Sequence, residues 1–151
     1  LFTGCSSLVQ IMIPSSVTSI GEEAFYECTA LKKVTIPSSV AFIGDYAFSD
    51  CSSLLEIEIP SSLTEINDYT FNECTALKKV IFPSSVTKLG NYAFYGCSSL
   101  PHVEIPNSVT FIGNHAFNEC SSLDVVEVPS TVTSIGYSAF SSGMRVKNLF
   151  L

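Results

Sequence analysis

The sequence predicts a solenoid, an open stack of short repeats, because three residue types recur together along the whole chain. All three follow an unbroken period of 23: Cys5, Cys28, Cys51, Cys74, Cys97 and Cys120; Pro14, Pro37, Pro60, Pro83, Pro106 and Pro129; and Phe2, Phe25, Phe48, Phe71, Phe94, Phe117 and Phe140. Such a period is typical of proteins in which each repeat contacts only its neighbours. We expect one solenoid over 1–151, with full repeats at 5–27, 28–50, 51–73, 74–96, 97–119 and 120–142 and partial repeats at 1–4 and 143–151. Since the sequence starts in mid-repeat, we expect a piece of a longer protein.

Each repeat begins with a predicted strand that ends at a proline. In residues 31–36, apolar Leu31, Val34 and Ile36 are interspersed with lysine and threonine, as in a strand with one buried face. Pro37 has no N–H group to donate, so strand pairing should stop there in every repeat. Stacked repeats then form a parallel β-sheet ladder with neighbouring strands about 4.8 Å apart.

The second half of the repeat predicts another short strand and then a helical turn. Val40 and Ile43 are candidates for the interior, and Gly44 permits a turn. Asp45 is placed to cap a single helical turn that points Phe48 inward. The predicted core is therefore a set of columns of equivalent Leu, Val, Ile and Phe residues.

The composition indicates a folded chain and excludes some partners. Hydrophobic residues make up 46% and charged residues 14%, which is ample for burial. The formal net charge of −7 opposes binding to nucleic acid or anionic lipid. No apolar run approaches the roughly 18 residues that a membrane span needs, so we expect no membrane insertion by this stretch.

The repeat resembles the BspA-like, Treponema-type class of leucine-rich repeat. The resemblance covers the whole chain and rests on the pattern C-[ST]-[SA]-L-x-x-[VI]-x-[IFV]-P-x-[ST]-[VL]-x-x-[IL]-[GN]-x-x-[AT]-F. Departures are Asn67 for Gly, Thr70 for Ala, Pro101 within a strand, and Gly143 with Val146 for Cys and Leu. The resemblance implies a leucine-rich-repeat solenoid of the α/β-horseshoe class, mostly β, with a short helical turn in each 23-residue repeat.

The same resemblance implies a function in adhesion or protein binding at a cell surface. It places the protein outside the cell or on its surface, with signal and anchor beyond this sequence, and names host extracellular-matrix or cell-surface proteins among the partners. A structural spacer or self-assembling array without a ligand is the alternative. The uncharged stretch 8–13 and residues 146–151, which carry a single lysine, predict end-to-end homo-oligomers.

The six cysteines share one position in the repeat and admit two interpretations. An inward column of free thiols is the simpler, because unpaired cysteine is commonly buried. Disulfides between adjacent repeats are the alternative, since neighbours in a ladder lie near bridging distance. No C-x-x-C pair occurs, so we expect neither a metal nor another cofactor.

Catalytic chemistry is poorly supported, and we expect no enzymatic activity. His102 and His115 occupy different parts of the repeat, and the serines fall at turn positions such as 38–39 and 84–85, where hydroxyls satisfy backbone groups. A further polar column comprises Asp45, Asp68, Asn91 and Asn114. We interpret it as a set of turn caps rather than a calcium ladder, because calcium needs several oxygens around one ion.

Two surfaces are candidates for recognition. The first is a protein-binding strand face of outward-pointing side chains: Lys32, Lys33, Glu56, Glu58, Lys78, Lys79, His102 and Glu104. Cross-strand pairing of alternating lysine and glutamate would explain part of its pattern without any ligand. The second is an aromatic stripe, Tyr46, Tyr69, Tyr92 and His115, which either packs over neighbouring turns or binds a partner.

Overall fold

The chain forms a parallel β-solenoid of about six turns. The computed structural model describes residues 2–142 and 144–148. One set of strands precedes the proline column: β1 Gln10–Met12, β3 Lys33–Thr35, β5 Glu56–Glu58, β7 Lys79–Ile81, β10 Val125–Val128 and β12 Arg145–Asn148. The other set follows it: β2 Ser19–Ile20, β4 Phe42–Ile43, β6 Glu65–Ile66, β8 Lys88–Leu89, β9 Phe111–Ile112 and β11 Ser134–Ile135. The predicted apolar ends Leu149 and Leu151 and the departure at Gly143 lie outside the described residues.

Both strand sets are parallel, but their ladders differ in continuity. In the second set, β6, β8, β9 and β11 form one sheet, and β2 pairs with β4. In the first set the strands pair two by two, as β1–β3, β5–β7 and β10–β12. The register keeps the 23-residue period up to β10, where Val125 pairs with Arg145. The residue of β12 that pairs with Val125 is therefore three positions earlier in the sequence than the 23-residue period requires.

The core consists of the predicted columns. In β3, β5 and β7 the central residue is buried while its two neighbours are exposed, as alternation requires. The seven phenylalanines that recur every 23 residues, from Phe2 to Phe140, form one column, which we call the Phe column. Its rings stack at centroid distances of 5.1–5.9 Å and interplanar angles of 2–14°. Each interior ring thus packs on the repeats both before and after it.

The predicted helical turn is wrong: the part of the chain that the structure describes contains no helix. Tyr46 and Asp50 have left-handed backbones, with φ of 57° and 59°. The N–H groups of Tyr46 and Phe48 donate across to Asp68 and Thr70 in the next repeat, at 3.2 and 2.9 Å. A helix needs consecutive N–H groups to bond back along their own segment. Here every second N–H group donates to an oxygen of the next repeat instead, so the segment consists of consecutive tight turns.

Two of the departures from the repeat pattern, Asn67 and Thr70, lie in the same repeat. At Gly113 an added Cβ would lie 2.6 Å from the backbone nitrogen of Asn91, which shows how closely successive turns approach. Asn67 occupies the equivalent position and donates from Nδ2 to the Ile43 oxygen at 2.6 Å. The buried Thr70 hydroxyl donates to the Asn67 oxygen at 2.8 Å. Each of the two larger polar side chains thus donates to a backbone oxygen inside the stack.

Candidate functional site

The strand face lies on the exposed side of the first strand set. All eight of its predicted residues are exposed. Lys33, Glu56, Glu58 and Lys79 occupy outward positions of β3, β5 and β7, whose central residues are buried, and the other four lie outside these strands. Leu55 and Ile81 are also exposed there, at 44% and 42% of their surface. The structure therefore brings charged and apolar side chains together on one surface.

The charged groups of this face do not pair with one another. Glu56 and Lys79 are opposite each other in the β5–β7 register, as alternation predicts. Yet among the described residues the ion pairs are Lys88–Glu65 at 3.7 Å, in the second strand set, and Arg145–Asp124 at 2.8 Å. The expected cross-strand ion pairs of the strand face are therefore absent from this part of the structure, and its charges are left accessible to solvent.

Like charges meet at the far end of the face. Glu104 lies directly opposite Glu127 in an isolated parallel bridge, and both side chains are exposed. Like charges in opposed positions repel each other. This pair lowers the stability of the free protein slightly and would favour a positively charged group from outside.

A groove crosses the face next to a break in the ladder. The N–H groups of Lys32, Leu55 and Lys78 each donate to the equivalent oxygen one repeat earlier. Pro101 has no N–H for the Lys78 oxygen, and within the described residues no backbone hydrogen bond joins 78–82 to 101–105. The groove there has a volume of about 590 Å³ and is lined by Lys78, Lys79, Val80, Ile81, Phe82, His102, Glu104 and Pro106. Pro101 was noticed in the sequence, but the groove near it was not foreseen.

The aromatic stripe is a stack of rings. Tyr46, Tyr69 and Tyr92 are 4.5 and 4.7 Å apart between centroids, and His115 follows at 4.6 Å. All four residues have left-handed backbones with φ between 54° and 58°. Burial, followed by the neighbouring tyrosines, raises the pKa of Tyr69. The ring faces are thus occupied by other rings, and mainly ring edges are free for a partner.

The polar column Asp45, Asp68, Asn91 and Asn114, here called the Asx column, is interpreted from the sequence as a set of turn caps. For Asp68, Asn91 and Asn114 a cap within the same repeat is wrong, because their side chains bond to the next repeat. The Asp68 carboxylate accepts from the backbone N–H and the Nδ2 of Asn91, at 2.7 and 3.1 Å. Asn91 Oδ1 accepts from the Asn114 N–H, and Asn114 Oδ1 accepts from the Tyr137 N–H, at 2.8 and 2.7 Å. These side chains form a ladder between repeats. The described residues contain no group of three or more potential ligands placed to hold a metal ion.

The cysteines form an inward column of free thiols. Five of the six are buried, and Cys5 is half-buried. Each buried thiol donates to the backbone oxygen of a phenylalanine 26 residues earlier, as Cys74 does to Phe48 at 3.2 Å. Burial raises the pKa of Cys51 and of Cys120 to about 12, and that of Cys74 well above its ordinary value of 9.0. Neutral thiols of this kind are poor nucleophiles.

Four of the six repeat prolines are followed by a pair of serines, whose two members differ in role. Ser39 and Ser85, the second members, donate to the oxygens of Val17 and Leu63 at 2.7 and 2.6 Å. The first members are exposed, so the expected backbone role applies to the second serine only. The two histidines do not form a joint site, because His102 lies on the strand face and His115 in the aromatic stripe.

A family profile and one solved structure agree on the kind of fold. The profile described as BspA type Leucine rich repeat region, with six copies, matches residues 1–100 and 42–151. The crystal structure of a leucine-rich repeat protein of T. pallidum, TpLRR, is 30% identical with a TM-score of 0.77, over 93% of this chain and 73% of that one. A leucine-rich cell surface protein of Faecalibacterium prausnitzii is 27% identical over 94% of this chain and 61% of that one, with a TM-score of 0.44. No curated protein sequence gives a significant match.

In the described part of the chain, no helix is long and apolar enough to cross a membrane.

Proposed function

Because the chain belongs to the BspA-type leucine-rich repeat family, we propose that it is the protein-binding module of a secreted or cell-surface adhesion protein. Leucine-rich repeat domains generally mediate protein–protein interaction, and their fold typically serves as a scaffold without catalytic activity. The surface location is supported by the family alone. Host extracellular-matrix and cell-surface proteins are the partners that we propose for it.

The strand face is the recognition surface in this proposal. The observation that carries it is a set of exposed charges that form no ion pair with any described residue, next to exposed Leu55 and Ile81 and a groove of about 590 Å³. Protein interfaces combine a few anchoring apolar contacts with a polar rim. The aromatic stripe is the weaker candidate, because its ring faces are already occupied.

A binding assay on purified extracellular-matrix proteins tests the proposal. The test variant replaces four strand-face residues by alanine: Lys32, Glu56, Lys79 and His102. The matched control replaces four exposed threonines by alanine, each of which immediately precedes a strand of the second set: Thr64, Thr87, Thr110 and Thr133. We expect the wild type and the control to bind at least one of these proteins, and the test variant to lose at least about tenfold in affinity.

Two results would count against the proposal. Unchanged affinity of the four-alanine variant would exclude the strand face as the binding surface. Failure of the wild type to bind any matrix protein or any exposed protein of intact host cells would reject the adhesion function and favour the structural spacer.

End-to-end association is a second candidate, favoured by the exposed apolar side chains of the first repeat. Met12 in β1 and the preceding Val9 are 77% and 50% exposed, and exposed apolar side chains favour association. Sedimentation velocity over a concentration series should show dimers or short stacks that Met12→Lys dissociates. A wild-type monomer at the highest concentration would refute this association.

A further inference from the structure

We propose that the strand face binds an α-helix of its partner protein, laid along the solenoid axis, whose exposed charges alternate in sign at each turn. The inference rests on the proposed function and names the class of partner. Its basis is the order of charges along the stack, the spacing of the repeats and the position of the groove.

The charge of the strand face alternates from one repeat to the next. Lys32 and Lys33 make the second repeat positive, and the next repeat presents two carboxylates. Lys78 and Lys79 make the fourth repeat positive again, and the two repeats after it present carboxylates at the bridge of Glu104 with Glu127. A complementary partner must therefore offer negative, positive, negative and positive groups in succession along the axis. The first three face the equivalent positions of Lys33, Glu56 and Lys79, and the fourth faces Glu104, which lies two residues further along its segment.

Spacing decides between a helix and an extended strand for that partner. Neighbouring strands of the sheet lie about 4.8 Å apart, so the sign of the charge changes at that interval. A helix returns to the same face about every 5.4 Å, whereas an extended strand does so about every 6.6 Å. Over three intervals the helix drifts by about 1.8 Å and the strand by about 5.4 Å. Long lysine and glutamate side chains absorb the first mismatch but not the second.

The groove between the fourth and fifth repeats supplies an apolar anchor point. Ile81, Phe82 and Pro106 line it, and Lys79 and Glu104 stand at its rim. Phe82 is half-buried and packs edge-on against Phe94 in the Phe column, with centroids 5.7 Å apart, so its position is fixed by the core. A leucine on the helix face, between the third and fourth charges, would enter this groove.

Ion pairs within the strand face do not compensate its charges. Glu56 and Lys79 are in register without forming an ion pair, and exposed pairs contribute little even when they form. A bound helix would instead place opposite charges against those of the strand face and shield both sets from water. The gain in affinity should be strongest at low ionic strength, because salt screens exposed charges.

A peptide series tests the inference on the whole chain. The first peptide is a helix of Ala and Gln with Glu, Lys, Glu and Lys on one face at successive turns and one leucine between the last two charges. A block peptide has the same composition in the order Glu, Glu, Lys, Lys, and a third has the alternating order with prolines that prevent helix formation. Fluorescence anisotropy at low salt should show the alternating helix binding at least about fivefold more tightly than either control.

Charge exchange then identifies the contact. Glu56→Lys should weaken binding of the alternating helix about three- to tenfold, and replacing the second peptide charge, Lys, by Glu should restore it. Glu22→Lys makes the same change of charge at an exposed site outside the strand face and should leave the affinity unchanged.

The possible outcomes separate this inference from the proposed function. Equal binding of the three peptides, or equal effects of Glu56→Lys and Glu22→Lys, would overturn the helical partner. Loss of matrix-protein binding in the four-alanine variant would leave the strand face as the binding surface even then.

Discussion

The Phe column offers the sharpest test of how the repeats are held together. Phe71 is fully buried, at 0% exposure, and its ring lies 5.6 Å from Phe48 and 5.4 Å from Phe94. Phe140 is half-buried, and among the described residues its ring stacks on Phe117 alone, at 5.9 Å. The same substitution, Phe→Ala, should therefore destabilise the protein more at position 71 than at position 140.

The magnitudes follow from burial and from the number of stacked neighbours. Removing a fully buried phenylalanine costs about 3–5 kcal/mol, with the cavity included. At Phe140 one stacking contact is lost instead of two, and each is worth about 0.5–1.5 kcal/mol. Because this site is open to solvent and leaves a smaller cavity, we expect a cost of about 1–2.5 kcal/mol there. For a chain of this size, Phe71→Ala should lower Tm by about 6–20 °C.

Urea unfolding followed by circular dichroism measures both costs. Phe42→Ala is the control, because Phe42 is 49% exposed and lies outside the Phe column. Its cost should stay within about 1 kcal/mol. Equal shifts for Phe71→Ala and Phe140→Ala would refute the idea that each ring is stabilised by the repeats on both sides. A cost at Phe42 as large as at Phe71 would show that the column has no special role.

Three other predictions follow from the buried thiols and the Asx ladder. The free energy of unfolding should fall as pH rises from about 9 towards 12, because burial raises the pKa of Cys51 and Cys120 to about 12 and the unfolded thiols release their protons first; stability that is flat over this range in urea titrations would contradict this. A thiol reagent should label Cys5 quickly in the native protein and the other five cysteines only after denaturation, so rapid native labelling of more than one thiol would show that the column is open. Asn91→Ala should cost about 1–2 kcal/mol in urea unfolding, since it removes two hydrogen bonds between repeats, whereas Asn107→Ala, at an exposed site, should cost less than half as much.

The columns of the core could be predicted from the sequence because they depend only on the residue types in one repeat and on its period. Alternation at Leu31, Val34 and Ile36 fixes the inward face of a strand, and the constant period of 23 aligns each such residue with its neighbours. The inward thiol column follows from the same argument.

The turn segment could not be predicted in the same way. The residues around Asp45 suit a helix cap and a tight turn equally well, because both use a short polar side chain beside free N–H groups. Which N–H group bonds to which oxygen depends on the neighbouring repeat, and no single repeat contains that information. The left-handed backbone of Tyr46 is likewise unfavourable in isolation, but the ring stack and the bonds to Asp68 hold it in place.

The strand face was predictable in its residues but not in its electrostatics. The alternation of inward and outward residues predicts that Lys33 and Glu56 point outward, and both are exposed in the structure. Whether the lysines and glutamates of this face form ion pairs depends on their rotamers, which the sequence does not give. The groove near Pro101, where a backbone N–H is missing, becomes visible only when the repeats are stacked in three dimensions.

The identical contacts between successive turns also have a genetic consequence. Because the rings of Phe48, Phe71 and Phe94 stack at nearly the same distance, removing residues 51–73 would bring Phe48 against Phe94 with a similar fit. A gene encoding such a stack can therefore gain or lose multiples of 69 base pairs by unequal recombination and still encode a folded protein. Deletions of other lengths would put a phenylalanine beside a non-equivalent residue and break the stack. Length variation between strains or species should thus occur in steps of one repeat, each of which shifts the charge pattern available to a partner.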